Sequence, residues 1–103
     1  AETKGRRLLH GLRSALADHE HVGDIRGKGL MCAVELVENR ETKKSFPDDQ
    51  QVGIRVNQAA VAGGLFSRVK GDSYLLAPPV ITTDSQLDQI VDILTKAIRT
   101  ILG

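Results

Sequence analysis

Leu8, Leu9, Leu12, Ala15 and Leu16 recur at intervals of three and four with Arg6, Arg7, Arg13 and Asp18 between them, which predicts an amphipathic helix over residues 3–18. His19-Glu20-His21 breaks that pattern. Val22 to Arg26 then alternates as a short strand does, and Gly27-Lys28-Gly29 predicts a bend or bulge. Leu30 to Val37 is apolar, partly β-branched and too short for a helix, so it predicts a strand buried on at least one face. From Glu38 to Asp49 the chain turns polar, as a solvated and mobile connection does. A second helix is expected to start near Asp48 or Asp49, to carry Val52, Val56, Ala59 and Ala60 on its inner face, and to stop at Gly63-Gly64.

Leu65 to Val69 and Tyr74 to Ala77 flank the turn-forming Lys70-Gly71-Asp72-Ser73 and predict a β-hairpin. Pro78-Pro79 cannot donate to a ladder and ends the second strand. Thr83-Asp84-Ser85-Gln86 has the form of a capping box, and Leu87, Ile90, Val91, Leu94, Ala97, Ile98 and Ile101 continue it as a helix. The order α-β-β-α-β-β-α, with short strands and hairpin links, argues for an α+β fold: a small antiparallel sheet covered on one face by helices. At 103 residues the whole chain, 1–103, is read as one domain around one modest core.

Composition changes this picture little. With 41% hydrophobic and 26% charged residues the chain lies far from the disordered corner, so it is expected to fold. A net charge of +1 with neither sign gathered into a block gives no reason to expect nucleic acid or an anionic membrane as partner. The lone Cys32 excludes an internal disulfide and fits a reducing, cytoplasmic setting. No stretch approaches the length of a membrane-spanning helix, and none reads as a secretion signal. The chain opens Ala1-Glu2-Thr3-Lys4 and holds a single methionine, Met31, so a cut chain is expected, although processing of a short protein gives the same start.

Tests for catalytic constellations return little. His19 and His21, two apart, share a face of an extended segment, but no third ligand is near in sequence, so they read as surface histidines and no metal site is expected. Gly27-Lys28-Gly29 lacks the full glycine pattern and following helix of a phosphate loop. Nothing singles out a base and orienting acid for Ser67, Ser73 or Cys32 as nucleophile. The informative stretch runs from Gly63 to Pro79. Strand alternation there puts Phe66, Arg68 and Lys70 on one face, where a guanidinium beside an aromatic ring suits an anion clamp. An ordinary surface arginine on a hairpin is the alternative.

Val22-Gly23-Asp24-Ile25-Arg26-Gly27-Lys28-Gly29-Leu30-Met31, Gly64-Leu65-Phe66 with Arg68, Gly71-Asp72-Ser73-Tyr74-Leu75-Leu76-Ala77-Pro78-Pro79, and Thr82-Thr83 leading into Leu87-Asp88 resemble, in order and across essentially the whole chain, the C-terminal small domain of class III pyridoxal-phosphate-dependent aminotransferases. The arginine before the Gly-Asp turn most resembles the ω-amino acid and amine transaminase branch. The resemblance implies a parent enzyme that exchanges an amino group between an amine or amino acid and a keto acid on pyridoxal 5'-phosphate. It further implies packing against a large domain of the same enzyme and a homodimer. None of Lys4, Lys28, Lys43, Lys44, Lys70 and Lys96 lies in a motif like the family's cofactor lysine, so no catalytic and no cofactor-binding residue is expected here, and the isolated piece is expected to be inactive. Arg68 alone carries over, as the mobile arginine that grips a substrate carboxylate and swings aside for amines lacking one. A free-standing α+β module that binds an acidic ligand or a protein is the competing reading.

Overall fold

In a computed structural model, which describes residues 2–79 and 81–103, the apolar spacing of the first segment becomes α1 (Glu2–Leu16), with Leu8, Leu12 and Leu16 fully buried. Two strands follow, β1 (Val22–Lys28) and β2 (Met31–Leu36), paired antiparallel with Lys28 opposite Met31. The glycine-rich stretch is therefore the end of a strand and a tight Gly29-Leu30 turn, while the irregularity in register falls earlier, between Val22 and Asp24.

The polar connection after β2 is exposed along 38–45 as expected, yet it is tied down. The Asn39 side chain accepts from the Glu41 and Thr42 amides at 2.9 and 3.1 Å, and the Lys43 ammonium donates to the Gly23 carbonyl. Phe46 is buried, its ring 5.3 Å from that of His21. A single 3₁₀ turn over Asp48–Gln50 comes next, and Gln51, in the left-handed region at φ 48°, separates it from α2 (Val52–Ala62). The helix expected from Asp48 or Asp49 thus starts three or four residues later, because a left-handed residue cannot sit inside a right-handed helix.

α2 ends as the Gly63-Gly64 pair predicts. Gly64 takes φ +98°, the Leu65 amide donates back to the Ala60 carbonyl at 2.8 Å, and the Gly64 amide to Val61 at 3.0 Å, the two bonds of a Schellman cap. The second hairpin is shorter than expected, with β3 (Arg68–Lys70) and β4 (Ser73–Leu76) joined by Gly71-Asp72. Thr83 then caps α3 (Asp84–Leu102): its hydroxyl accepts from the Gln86 amide at 3.1 Å and the Gln86 side chain accepts from the Thr83 amide at 2.9 Å, the capping box read from the sequence.

The four strands form one antiparallel sheet in the order β1-β2-β4-β3. α1 lies on β1 and β2, α2 on β3 and β4, and α3 packs against both helices. Val34, Leu36, Tyr74 and Leu76 point into the core with Leu8, Leu12, Val56, Leu87, Leu94 and Ile98. Burying each such side chain stabilises the fold by about 1.5–3 kcal/mol before conformational entropy is subtracted. Arg7 adds a two-point ion pair to Asp88 at 3.0 and 2.7 Å that joins α1 to α3. The expected α+β architecture, helices on one face of a small antiparallel sheet, is the observed one.

Candidate functional site

Because the helices cover one face, the alternate residues of every strand are left on the other. In β3 these are Arg68 and Lys70, opposite Leu75 and Ser73 of β4, which in turn stand opposite Ala33 and Glu35 of β2; Ala33 is paired with Arg26 of β1. One row across the open face therefore reads Arg68, Leu75, Ala33, Arg26. At about 4.8 Å per strand step the two arginine α-carbons stand roughly 14 Å apart. Between them lies a shallow cleft of about 500 Å³ whose floor is Ala33, Leu75 and Met31, with Lys28 at its rim.

The two arginines are not equivalent. Arg26 donates to Asp24 at 3.1 Å and to Glu35 at 3.0 Å, and those hydrogen bonds and charges hold its guanidinium above the usual arginine range. Arg68 is exposed and, among the described residues, makes no hydrogen bond or ion pair. Arg68 thus offers an unspent five-donor fork beside an apolar floor, the arrangement that takes a carboxylate attached to an aliphatic body.

The backbone beneath Arg68 is held on both sides. Just before it, the Ser67 hydroxyl donates to the Leu75 carbonyl, the carbonyl of Arg68's cross-strand partner. Just after β3, the Asp72 carboxylate accepts from the Gly53 amide in the first turn of α2 at 3.0 Å, and the Asp72 carbonyl accepts from the Leu36 amide at 2.9 Å.

Phe66 does not join Arg68. The strand begins only at Arg68, so the alternation that would carry Phe66 to the same face does not extend back to it. Phe66 instead stands 78% exposed at a separate cleft of about 360 Å³ with Pro78, Pro79 and Ile90. What surrounds Arg68 is therefore aliphatic carbon, without the ring.

The remaining sequence candidates disperse. His21 Nδ1 is 3.0 Å from the Val37 carbonyl, and His19 Nδ1 accepts from the His21 amide at 3.1 Å, so both rings are engaged in closing a turn. Among the described residues no group of three potential metal ligands gathers. Cys32 is buried on the core side, where desolvation pushes its thiol up, away from reactivity. Asp72 went unnoticed in the sequence as anything but a turn former; its second role depends on a helix that begins twenty residues earlier.

Comparison with known proteins gives a consistent family. The family model "Aminotransferase class-III" matches residues 1–98. An adenosylmethionine-8-amino-7-oxononanoate aminotransferase of Geobacter sulfurreducens is 40% identical over 97 residues, 94% of this chain and 21% of its own length. A putrescine–pyruvate aminotransferase of Pseudomonas aeruginosa is 36% identical over 83 residues, 81% of this chain and 18% of its own. Among solved structures, an (S)-enantioselective ω-transaminase from Thermomicrobium roseum superposes on 99% of this chain and 22% of its own with a TM-score of 0.94 at 29% identity. The chain spans about a fifth of the length of the curated relatives it matches.

Proposed function

This chain belongs to the class III aminotransferase family, and from that premise we propose that it is the C-terminal small domain of a transaminase, forming one wall of the substrate site and gripping a substrate carboxylate through Arg68. The observation that supports the reading is the contrast on the open sheet face: Arg26 is committed to two carboxylates, and Arg68 to none among the described residues. The parent enzyme is read as a cytoplasmic homodimer that moves an amino group between an amine or amino acid and a keto acid.

Pyridoxal 5'-phosphate supplies the electron sink for such amino transfer when bound. The residues of this chain do not fit it by themselves. A cofactor lysine must stand in an enclosed site, whereas Lys43 is spent on the Gly23 carbonyl, Lys44 and Lys96 pair with Glu38 and Asp92, Lys28 and Lys70 are exposed on the sheet, and Lys4, in the first turn of α1, lines neither cleft. The cofactor therefore falls to the rest of the enzyme, and this chain contributes recognition. Its guanidinium binds and orients the acid group of a keto acid, while Ala33, Leu75 and Met31 offer an apolar surface to the substrate's carbon chain. Because Arg68 has no hydrogen-bond or ion-pair partner among the described residues to give up when it moves, it can also turn aside for an amine that carries no carboxylate.

Steady-state kinetics of the complete enzyme test this. Charge-assisted hydrogen bonds contribute roughly 1.5–3 kcal/mol each, so Arg68→Ala is expected to lower kcat/KM for a keto acid about ten- to a hundredfold or more. Arg68→Lys, which keeps charge but loses the two-point fork, is expected to fall between the two. Keto-acid kinetics unchanged by Arg68→Ala would remove the assignment.

A further inference from the structure

β3 is the weakest-held strand of the sheet. It has three residues, lies at the edge, and pairs on one side only, with β4. An edge strand this short owes its position to whatever anchors its ends. At its far end stands the Gly71-Asp72 turn, and there the packing is backbone on backbone: a β-carbon at Gly53 would lie 2.2 Å from the Gly71 carbonyl oxygen. α2 in turn lacks a cap of its own. Its N-cap residue, Gln51, makes no side-chain capping bond, and no acidic residue sits in its first turn. The orphan amide of Gly53 is met instead by the Asp72 carboxylate, nineteen residues away in sequence, at 3.0 Å. A carboxylate at a helix N-terminus is favoured both as an acceptor and by the helix dipole.

We propose that Asp72 is a positioning residue for carboxylate recognition: by capping α2 from the hairpin turn, it fixes the β3–β4 hairpin against that helix and so fixes the place from which Arg68 reaches the substrate. The inference rests on the reading of Arg68 given above. Asp72 itself lies one turn residue and two strand residues beyond Arg68, is partly buried, and touches no part of the cleft floor. Its effect passes through the backbone. A loosened hairpin lets the Arg68 α-carbon wander, and a two-point guanidinium bond loses strength steeply with displacement.

The test uses the complete enzyme with pyruvate and with butanal as acceptors at a fixed saturating amine donor. Asp72→Ala is expected to raise KM for pyruvate roughly five- to tenfold while kcat and the butanal parameters stay near those of the parent. Asp72→Asn keeps an acceptor oxygen in the same place and is expected to restore the pyruvate KM to within about twofold. In an Arg68→Ala background the Asp72→Ala change is expected to add nothing to the pyruvate KM, since the group it positions is gone. If Arg68→Ala alone leaves pyruvate kinetics unchanged, the carboxylate reading has failed. If Arg68→Ala acts but Asp72→Ala leaves the pyruvate KM untouched, or impairs pyruvate and butanal alike, only the positioning role has failed. Should Asp72→Ala not fold, Asp72→Ser, whose shorter hydroxyl leaves the Gly53 amide unmet, replaces it in the same assays: a raised pyruvate KM with butanal unaffected supports the positioning role, and an unchanged pyruvate KM overturns it.

Discussion

Gly53 and Gly71 meet without side chains between them: the α-carbon of one, in the first turn of α2, sits so close to the carbonyl of the other that a β-carbon there would stand 2.2 Å from oxygen and 3.1 Å from the Asp72 α-carbon. Both obstacles are backbone, so neither can rotate away. Gly53→Ala forces α2 and the hairpin apart, at a cost of about 1–3 kcal/mol that exceeds the roughly 1 kcal/mol alanine gains in helix propensity. Denaturant unfolding is expected to show a net loss of stability. A stabilised Gly53→Ala variant would mean that the two elements do not pack this closely.

Tyr74 is the largest fully buried side chain, and its hydroxyl meets no hydrogen-bond partner among the described residues. Burial alone pushes its pKa up to about 12. An unmet buried hydroxyl costs about 1–3 kcal/mol, and phenylalanine keeps the ring while removing it. Tyr74→Phe is therefore expected to be neutral or to stabilise by about 1 kcal/mol. Thermal melts that place the variant clearly below the parent would show that the hydroxyl is satisfied.

His19 links acidity to stability. Desolvation first, then the proximity of His21, Arg99 and Arg40, lower its pKa, with Glu20 opposing. Its Nδ1 also accepts the His21 amide, so protonation there breaks a hydrogen bond of the turn. The folded value lies below the usual 6.5, so the neutral ring's contribution is fully present above that pH and is lost as pH falls through the lowered value. His19→Asn, which offers an oxygen near the place of Nδ1 and cannot titrate, is expected to flatten this part of the stability profile below pH 6.5. An unchanged profile would assign the acid sensitivity elsewhere.

Met31, Phe66 and Ile81 stand 68%, 78% and 87% exposed, an unusual outlay of large apolar surface for so small a chain. Kept by itself, the chain is expected to self-associate, with sedimentation velocity reporting species heavier than 11.2 kDa as concentration rises. A strictly monomeric boundary at high concentration would contradict this, and Phe66→Ser is expected to weaken the association.

Much of the fold was legible because it is written in local pattern. The capping box at Thr83, the glycine stop at Gly64 and the three-and-four spacing of α3 are each complete within a few residues, and each is observed. The places where expectation and structure part are those where a distant segment decides. Gln51 takes a left-handed turn that postpones α2, and β3 starts three residues late, which separates Phe66 from Arg68.

The sequence by itself determined the order of elements and the α+β class, because periodicity, caps and turn residues act over one or two helical turns; Arg68 stood out only through the resemblance of the blocks around it to a known family. Tertiary structure alone decided the strand order β1-β2-β4-β3, and with it that Arg26, on one edge, is neutralised by Glu35 of the neighbouring strand while Arg68, on the other edge, meets no carboxylate among the described residues. It also decided that Gly53 and Asp72, ordinary residues of a helix and a turn, become a joint. Register and the approach of one backbone to another are set by packing between segments far apart in the chain, and no local pattern encodes which face, or which neighbour, a residue will meet.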